Sequence, residues 1–438
     1  FEEKDKLKSE RGLSMIKLKK VLSLVMVGIL SVSILAGCSK KEDSKGKEGK
    51  EKLVVWSAPL TDHDADAWKP IFEKFEKENN CEIEFQIVPW DNYAEKYATA
   101  ISAGEGPDIG YMYAEMFPQF IEMGAVEDLT PYLEKSGTSD NYLYLDDAKM
   151  MGGIYGLPIE AANPGVLYYN KDILEKLGEK PPKTWDDFKR ICEKATKDTD
   201  GDGKIDQWGL AQGWGSKVFG SLNWNWYPYL WQAGGDIYND DLKSVKFNNA
   251  EGLKAANFIN DMKKYIPEDA LSKDSNEMIE SVFGPGKAAF TIMLSSAATS
   301  TFDKSFPDLN WGYVTSLEDK TVGSFASVDD LTLMSACKNK ELGFKLLEYM
   351  LSKESMEAFH KEIPRAPVAK GEKYQGDPRF EEMVTRDKHM YRPLTVGPHG
   401  VEIYEYLWKQ LQMMIAGDIT PEQALNESAK YANGLLAQ

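Results

Sequence analysis

The hydrophobic positions of the chain switch repeatedly between two spacings. Leu53–Trp56 is a short apolar run of the kind that forms a buried strand, and apolar residues then recur at helical spacing from Trp68 to Phe75. Residues 81–102 repeat the strand and the helix, and residues 107–109 begin a third strand. This alternation favours a mainly parallel sheet with helices on both faces, in which ligands bind at the C-terminal ends of the strands.

A second domain is predicted where the pattern changes after residue 158. A new strand begins at residues 166–170, and residues 212–235 are dense in tryptophan, tyrosine, asparagine and glycine. The chain beyond residue 53 is long enough for two domains, each with its own core. The predicted domains are 53–159 with 330–372 for the first, and 160–329 with 373–438 for the second.

The N-terminal segment has the order of an export signal. Three lysines at positions 17, 19 and 20 precede an apolar run at residues 21–35, which is short for a membrane span. Leu35-Ala36-Gly37-Cys38 is similar to the lipobox of bacterial lipoproteins, which implies that Cys38 carries the lipid. We expect residues 1–14 to be an upstream extension, 15–37 the signal peptide and 38–52 a flexible tether. An uncleaved anchor remains the alternative.

The balance of charges excludes some partners. The chain has a formal net charge of −18, and residues 1–37 carry four acidic and seven basic side chains, so the remainder is at −21. Such an acidic body repels phosphate backbones, and we expect no nucleic-acid partner. Cys81, Cys192 and Cys337 are an odd, scattered set that favours small core residues over a disulfide framework. The four histidines are not paired at the spacing of zinc ligands.

An ordered set of short motifs resembles one family. The set comprises Gly106-Pro107-Asp108-Ile109, Gly156-Leu157-Pro158, Tyr168-Tyr169-Asn170-Lys171-Asp172, Pro182-Lys183-Thr184-Trp185-Asp186, Gly286-Lys287-Ala288-Ala289 and Asn339-Lys340-Glu341. The motifs occur in the order seen in the solute-binding proteins of carbohydrate ABC importers, the maltose-binding-protein-like group. This resemblance implies an α/β, two-lobed, periplasmic-binding-protein-like fold of type II with three interlobe crossovers.

The residues themselves offer several candidate sugar contacts. Sugar recognition needs aromatic faces for the C–H side of the ring and planar polar side chains for the hydroxyls. Trp90 follows a predicted strand end, and Trp214 lies between glycines in a loop. Asp329 and Asp330 interrupt an apolar strand, where a carboxylate is costly without a partner, so we expect one of them, taken as Asp330, to reach the cleft. Glu160, after the first crossover, and Tyr404, in a late helix, complete this group.

Other contacts are implied by the resemblance. Relatives place an aromatic ligand contact just before the equivalent of Ala233-Gly234-Gly235, which implies that Trp224 and Trp226 face the cleft. Tyr113 and Glu115 occupy a region that supplies polar and aromatic contacts in maltose-binding relatives. Arg365 stands where many relatives carry a basic residue, although a surface ion pair would explain it equally well.

An aspartate-rich loop predicts a calcium site. Asp198, Asp200 and Asp202 take positions 1, 3 and 5 of an EF-hand-like loop, with a glycine at position 6. The carbonyl of Lys204 and the carboxylate of Asp206 supply positions 7 and 9. Position 12 is a glycine rather than glutamate, which excludes a standard sensor hand. We expect structural Ca²⁺, with an unmetallated acidic turn as the alternative.

Together these features predict a non-enzymatic, monomeric, lipid-anchored binding protein. It would capture a sugar or oligosaccharide at the outer face of the cytoplasmic membrane and deliver it to ABC permease subunits. A secreted glycoside hydrolase would also need aromatic and acidic residues in a cleft, and it remains an alternative. The same fold could instead bind a polyamine, a peptide or glycerol phosphate, although tryptophans favour a sugar and the lack of arginine clusters disfavours phosphate.

Overall fold

The computed structural model describes residues 50–61, 63–90, 93–146, 148–161 and 164–438. The strands are β1 (Glu51–Ser57), β2 (Cys81–Ile87), β3 (Ile109–Met112), β4 (Lys149–Met150), β5 (Gly153–Ile154), β6 (Leu157–Ala161), β7 (Gly165–Asn170), β8 (Trp208–Leu210), β9 (Ala288–Leu294), β10 (Trp311–Val314), β11 (Ser324–Phe325), β12 (Val328–Leu333) and β13 (Tyr391–Arg392).

Helices cover both sheets and form most of the C-terminal region. They are α1 (Asp64–Asn79), α2 (Tyr93–Ser102), α3 (Phe117–Glu122), α4 (Thr130–Ser136), α5 (Lys171–Leu177), α6 (Trp185–Ala195), α7 (Leu222–Asn225), α8 (Tyr227–Gln232), α9 (Ala250–Met262), α10 (Ser275–Met278), α11 (Asp303–Ser305), α12 (Lys340–Met350), α13 (Lys353–Glu362), α14 (Glu381–Thr385), α15 (Gly400–Ala416) and α16 (Pro421–Leu436). None of the helices among the described residues is long and apolar enough to cross a membrane. The apolar run at 21–35 and Cys38 lie outside the described residues.

Two sheets organise two separate hydrophobic cores. The first sheet has the order β2–β1–β3–β12–β6, with β1 parallel to β2 and β3, and β12 antiparallel to both its neighbours. The second has the order β10–β7–β9–β8, in which β7 is antiparallel to β9 and β10. The predicted parallel pairing therefore holds for β1, β2 and β3 of the first sheet but not for β12, because hydrophobic spacing does not specify strand direction.

The chain passes between the two cores more than once. It leaves the first core after β6 and returns to it at β12, and the segment from Ala366 to Phe380 contributes side chains to both cores. The number of crossovers stays a prediction. Glu160 in β6 pairs with Asp329 in β12. The predicted boundaries after 159 and 329 therefore cut strands of the first sheet instead of the segments between the lobes.

Several local features agree with signals in the sequence. Thr420 and Gln423 form a capping box at the start of α16, and the Asn339 side chain accepts a hydrogen bond from the Leu342 amide at the start of α12. Cys81, Cys192 and Cys337 are buried and free, as expected for small core residues. These caps satisfy backbone groups that a helix cannot bond internally, which explains why they can be recognised from sequence.

The core of the second lobe depends on large aromatic residues such as Trp226, which is fully buried. We expect Trp226→Ala to lower the free energy of unfolding by about 3–5 kcal/mol, because the change removes buried surface and leaves a cavity. Urea denaturation would measure the loss. Trp90→Ala is the matched control, since that indole is 46% exposed and should cost less. Equal losses in the two variants would contradict this assignment of the core.

Candidate functional site

The C-terminal edge of the first sheet brings together residues that are far apart in sequence. β2 and β3 both end at this edge, and the antiparallel β12 begins there, with Asp330 opposite Met112. Trp90 follows β2, while Tyr113 and Glu115 follow β3. Parallel strands with one antiparallel neighbour therefore collect aromatic and acidic side chains along a single line.

Trp90 offers an accessible aromatic surface at this edge. Its indole is 46% exposed, and its Nε1 donates a hydrogen bond to the carbonyl of Pro59 at 3.1 Å. The ring centroid lies 5.9 Å from that of Tyr111 and 6.3 Å from that of Tyr113. The hydrogen bond and the neighbouring rings fix the orientation of the indole, so the exposed face is available for stacking.

Two carboxylates next to these aromatics lie in a poorly solvated environment. The Tyr111 hydroxyl donates a 2.6 Å hydrogen bond to Asp329 Oδ2, while burial, and then the charge of Glu160, raise the pKa of Asp329 well above its usual range. Burial also raises the pKa of Glu115 to about 7. Both groups can therefore exchange hydrogen bonds with a polar ligand in either protonation state.

The sequence prediction selected the wrong member of the aspartate pair. Asp330 is completely buried, packs against Gly156 and lines neither of the cavities between the lobes. Asp329 lines one of these cavities and was missed as a site residue. Adjacent strand residues face opposite ways, so only the pairing register shows which of the two faces the cleft.

Glu160 and Arg365, both predicted site residues, form an ion pair. Arg365 Nε lies 2.9 Å from Glu160 Oε1, and the two side chains are 14% and 7% exposed. The guanidinium also donates to the carbonyls of Pro364 at 3.0 Å and Leu60 at 3.4 Å. Arg365 thus connects the end of β6, the loop after β1 and the segment that follows α13.

Two cavities lie between the lobes and are lined by residues of both. The larger has a volume of about 640 Å³ and includes Leu60, Arg365 and Ser295. The smaller, of about 310 Å³, includes Glu115 and Asp329 from the first lobe. The lobes also touch directly, since residues 114–116 contact α15. The volumes of the two cavities fall within the range of small-molecule sites, and the smaller cavity is at the lower end of that range.

Three of the predicted second-lobe aromatics are core residues, which corrects the sequence analysis. Trp226 is completely buried, because it lies at the junction of the short helices α7 and α8. Trp214 is 4% exposed and stacks on Trp408 with 5.3 Å between ring centroids. Tyr404 is completely buried and donates to the carbonyl of Thr395 at 2.8 Å. These side chains support the second lobe from inside.

Trp224 is placed differently from these three. It is half-buried, its Nε1 donates to Ser275 Oγ at 3.1 Å, and it lies beside Gly165 at the start of β7. It lines neither of the two cavities. Its position next to the first passage between the lobes leaves the prediction of a ligand contact open.

The aspartate-rich loop brings three of its carboxylates together. Oxygen atoms of Asp198, Asp200 and Asp202 lie within 4.8 Å of one another, which fits a cation with oxygen ligands. Backbone amides of Gly203 and Gly201 donate to Asp198 and lower the pKa of its carboxyl.

Asp206, a further predicted calcium ligand, is hydrogen-bonded within the loop. The amide and hydroxyl of Thr199 donate to the two oxygens of Asp206, at 2.8 and 2.7 Å. Asp206 is therefore outside the cluster of three carboxylates, and its place as a calcium ligand stays a prediction. The Lys204 amide donates to Asp202 Oδ1 at 2.8 Å. The loop as it stands supplies three carboxylates.

Comparisons with known proteins agree with this architecture. A family model described as "Bacterial extracellular solute-binding protein" matches residues 58–357. The galactooligosaccharide-binding protein of Bacillus subtilis is 27% identical over 440 residues, covering 95% of this chain and 97% of the relative. The diacetylchitobiose binding protein DasA of Streptomyces coelicolor is 25% identical, covering 76% and 78%.

Solved structures with the same fold include two sugar complexes. An ABC substrate-binding protein from Listeria monocytogenes in complex with cycloalternan has a TM-score of 0.73 at 22% identity, covering 89% of this chain and 99% of that one. Maltose-bound MalE3 of T. maritima has a TM-score of 0.69 at 20% identity, covering 88% and 99%. This likeness confirms the predicted two-lobed α/β fold of type II.

The raised pKa of Glu115 predicts a pH dependence of stability. Between pH 4.5 and about 7 the carboxyl is ionised in the unfolded chain and protonated in the folded one. The folded state then binds more protons, so stability falls as the pH rises through this window. We expect Glu115→Gln to flatten this slope in urea denaturation series.

Glu122 provides the control for this experiment, because it is an exposed carboxylate nearby in sequence. Glu122→Gln should keep the wild-type dependence on pH. A Glu115→Gln variant with the same slope as the wild type would contradict the proposed burial of that carboxyl.

Proposed function

The chain belongs to the family of bacterial extracellular solute-binding proteins, and on this basis we propose that it captures a sugar or oligosaccharide between its lobes. It then presents the solute to the permease subunits of an ABC importer. The observation that carries this proposal is the pair of interlobe cavities at the C-terminal edge of the first sheet, which are lined by residues of both lobes.

The chemistry of this edge suits a saccharide. The exposed face of Trp90 can stack on the C–H face of a pyranose ring. Glu115 and Asp329 can accept hydrogen bonds from hydroxyls when ionised, and donate one when protonated. The named binding functions of relatives in B. subtilis and S. coelicolor concern a galactooligosaccharide and diacetylchitobiose, which also supports a carbohydrate.

Closure of the lobes couples binding to delivery. A solute that contacts both lobes favours the closed state by its difference in affinity for the two states, and only such a difference can shift the equilibrium. A micromolar dissociation constant corresponds to about −8 kcal/mol, which a stacked ring and a few charge-assisted hydrogen bonds can supply.

We propose a role in binding without catalysis. The relatives whose functions are named above are binding proteins, and this weighs against a glycoside hydrolase. Glu160 is engaged by Arg365 and Asp329 by Tyr111, so both carboxylates already have structural partners.

The proposal includes a membrane tether. Cys38 would carry the lipid, and residues 38–52 would link it to the folded body at the outer face of the cytoplasmic membrane. Each buried methylene contributes about 0.8 kcal/mol, so more than one acyl chain gives a stable anchor. The protein would act there as a monomer.

Calcium would have a structural role in the loop that begins at Asp198. The three clustered carboxylates would repel one another without a cation, and a bound Ca²⁺ would neutralise them. Ion binding to the folded state alone stabilises that state by mass action.

A panel of saccharides tests the main proposal. We expect an oligosaccharide to raise the melting temperature and change tryptophan fluorescence. Trp90→Ala and Trp224→Ala should each weaken binding of that saccharide by more than about 1 kcal/mol, through lost stacking. Tyr431→Ala is a control, because this exposed tyrosine lies in α16 and stacks on Tyr406 of α15 with 4.1 Å between ring centroids. Unchanged affinity in the Trp224 variant would remove that residue from the site.

Calcium titration tests the loop. Calcium should raise the melting temperature and a chelator should lower it, and Asp200→Ala should abolish both responses. Asp240→Ala, at an exposed carboxylate outside the loop, should respond like the wild type. The absence of any response to calcium in the wild type would refute the site.

A further inference from the structure

The smaller interlobe cavity is lined by both charged and apolar side chains. Glu115, Asp146 and Asp329 contribute carboxylates, and the ammonium group of Lys149 lies 2.6 Å from Asp146 Oδ1. The apolar lining includes Met150, Met151, Leu242, Phe325, Leu394 and Val396. Met151 belongs to the first lobe and Leu242 to the second. A solute in this cavity would therefore meet charged groups as well as hydrocarbon from both lobes.

Met151 occupies a backbone position that does not suit it. It follows β4 in the two-residue turn of the β4–β5 hairpin, with φ at 48°, and the next residue, Gly152, has φ at 87°. Positive φ at both central positions is the geometry for which asparagine followed by glycine is preferred. The Met151 side chain is also 41% exposed, so core packing does not account for its presence.

Leu242 has the same peculiarity on the opposite lobe. Its φ is 56°, in a turn closed by hydrogen bonds from the Leu242 amide to the Asn239 carbonyl and from the Asn239 amide to the Ser244 carbonyl, both 2.9 Å. A bulky side chain is unfavourable in this conformation, which glycine and asparagine adopt readily.

Met151 and Leu242 line the same cavity, one from each lobe. Among the described residues, the other non-glycine residues with positive φ are Asn80 and His399, and neither lines the cavity. Strained bulky residues persist where the side chain is needed, and they concentrate at ligand clamps. Two such residues on the same cavity, one from each lobe, indicate a function in ligand binding.

We propose that Met151 and Leu242 form a two-sided apolar clamp that determines which solute the closed protein retains. The clamp rests on the proposed function. The two side chains cover the non-polar face of a terminal sugar ring, while Glu115 and Asp329 bond its hydroxyls. At about 310 Å³, the cavity accommodates a short saccharide end and not a long chain.

Glycine and asparagine substitutions separate this role from a structural one. Met151→Gly, Met151→Asn and Leu242→Gly all suit a positive φ, so each should keep or raise the melting temperature of the ligand-free protein. Their affinity for the saccharide that binds the wild type best should fall at least fivefold. The panel of probes is galactotriose, diacetylchitobiose and maltotriose, and calorimetry measures each affinity.

Asn80→Gly is the matched control, since Asn80 has φ at 50° at the end of α1 and should bind as the wild type does. Wild-type affinity in all three clamp variants would overturn the clamp and leave the proposed function intact. A drop in melting temperature for the glycine variants would also overturn it, because the side chains would then be structural. A wild type that binds no saccharide of the panel would overturn both proposals.

Discussion

The ion pair between Glu160 and Arg365 connects the parts of the chain on which the relation of the two lobes depends. Glu160 is near the end of β6, just before the chain enters the second core, and Arg365 lies in the segment that leads back to it. Because both side chains are largely shielded from water, loss of either partner would leave a charge without compensation. The same guanidinium reaches the carbonyl of Leu60, so the loop after β1 is fixed with them.

Near this ion pair, the site combines carboxyl groups of raised pKa with aromatic surfaces. Asp329 and Glu115 have raised pKa values because burial disfavours their charged forms. A hydroxyl group is a suitable partner for such acids, since it can donate to the ionised form and accept from the protonated form. Trp90 adds an accessible ring face whose orientation is held by a hydrogen bond to Pro59.

The sequence predicts local features well and side-chain direction poorly. The capping box at Thr420 and the buried cysteines were predictable, because short-range hydrogen bonds and composition determine them. The burial of Trp226 was not, since it depends on how α7 and α8 pack. Choosing Asp329 over Asp330 required the register of β12, and the bond from Thr199 to Asp206 depends on the conformation of the loop. The sequence shows that Met151 precedes a glycine. Only the backbone angles show that this bulky residue has a positive φ in a tight turn.

The position of β12 has a consequence for how the first lobe forms. This strand lies between β3 and β6, yet more than two hundred residues separate β3 from it in sequence. A growing chain therefore cannot complete its first sheet until β7 to β11 of the second lobe have been synthesised. Contacts of such long range slow folding, since the loop must be closed before the pairing contributes. An N-terminal fragment ending before β12 would lack a central strand, and the two lobes therefore mature together.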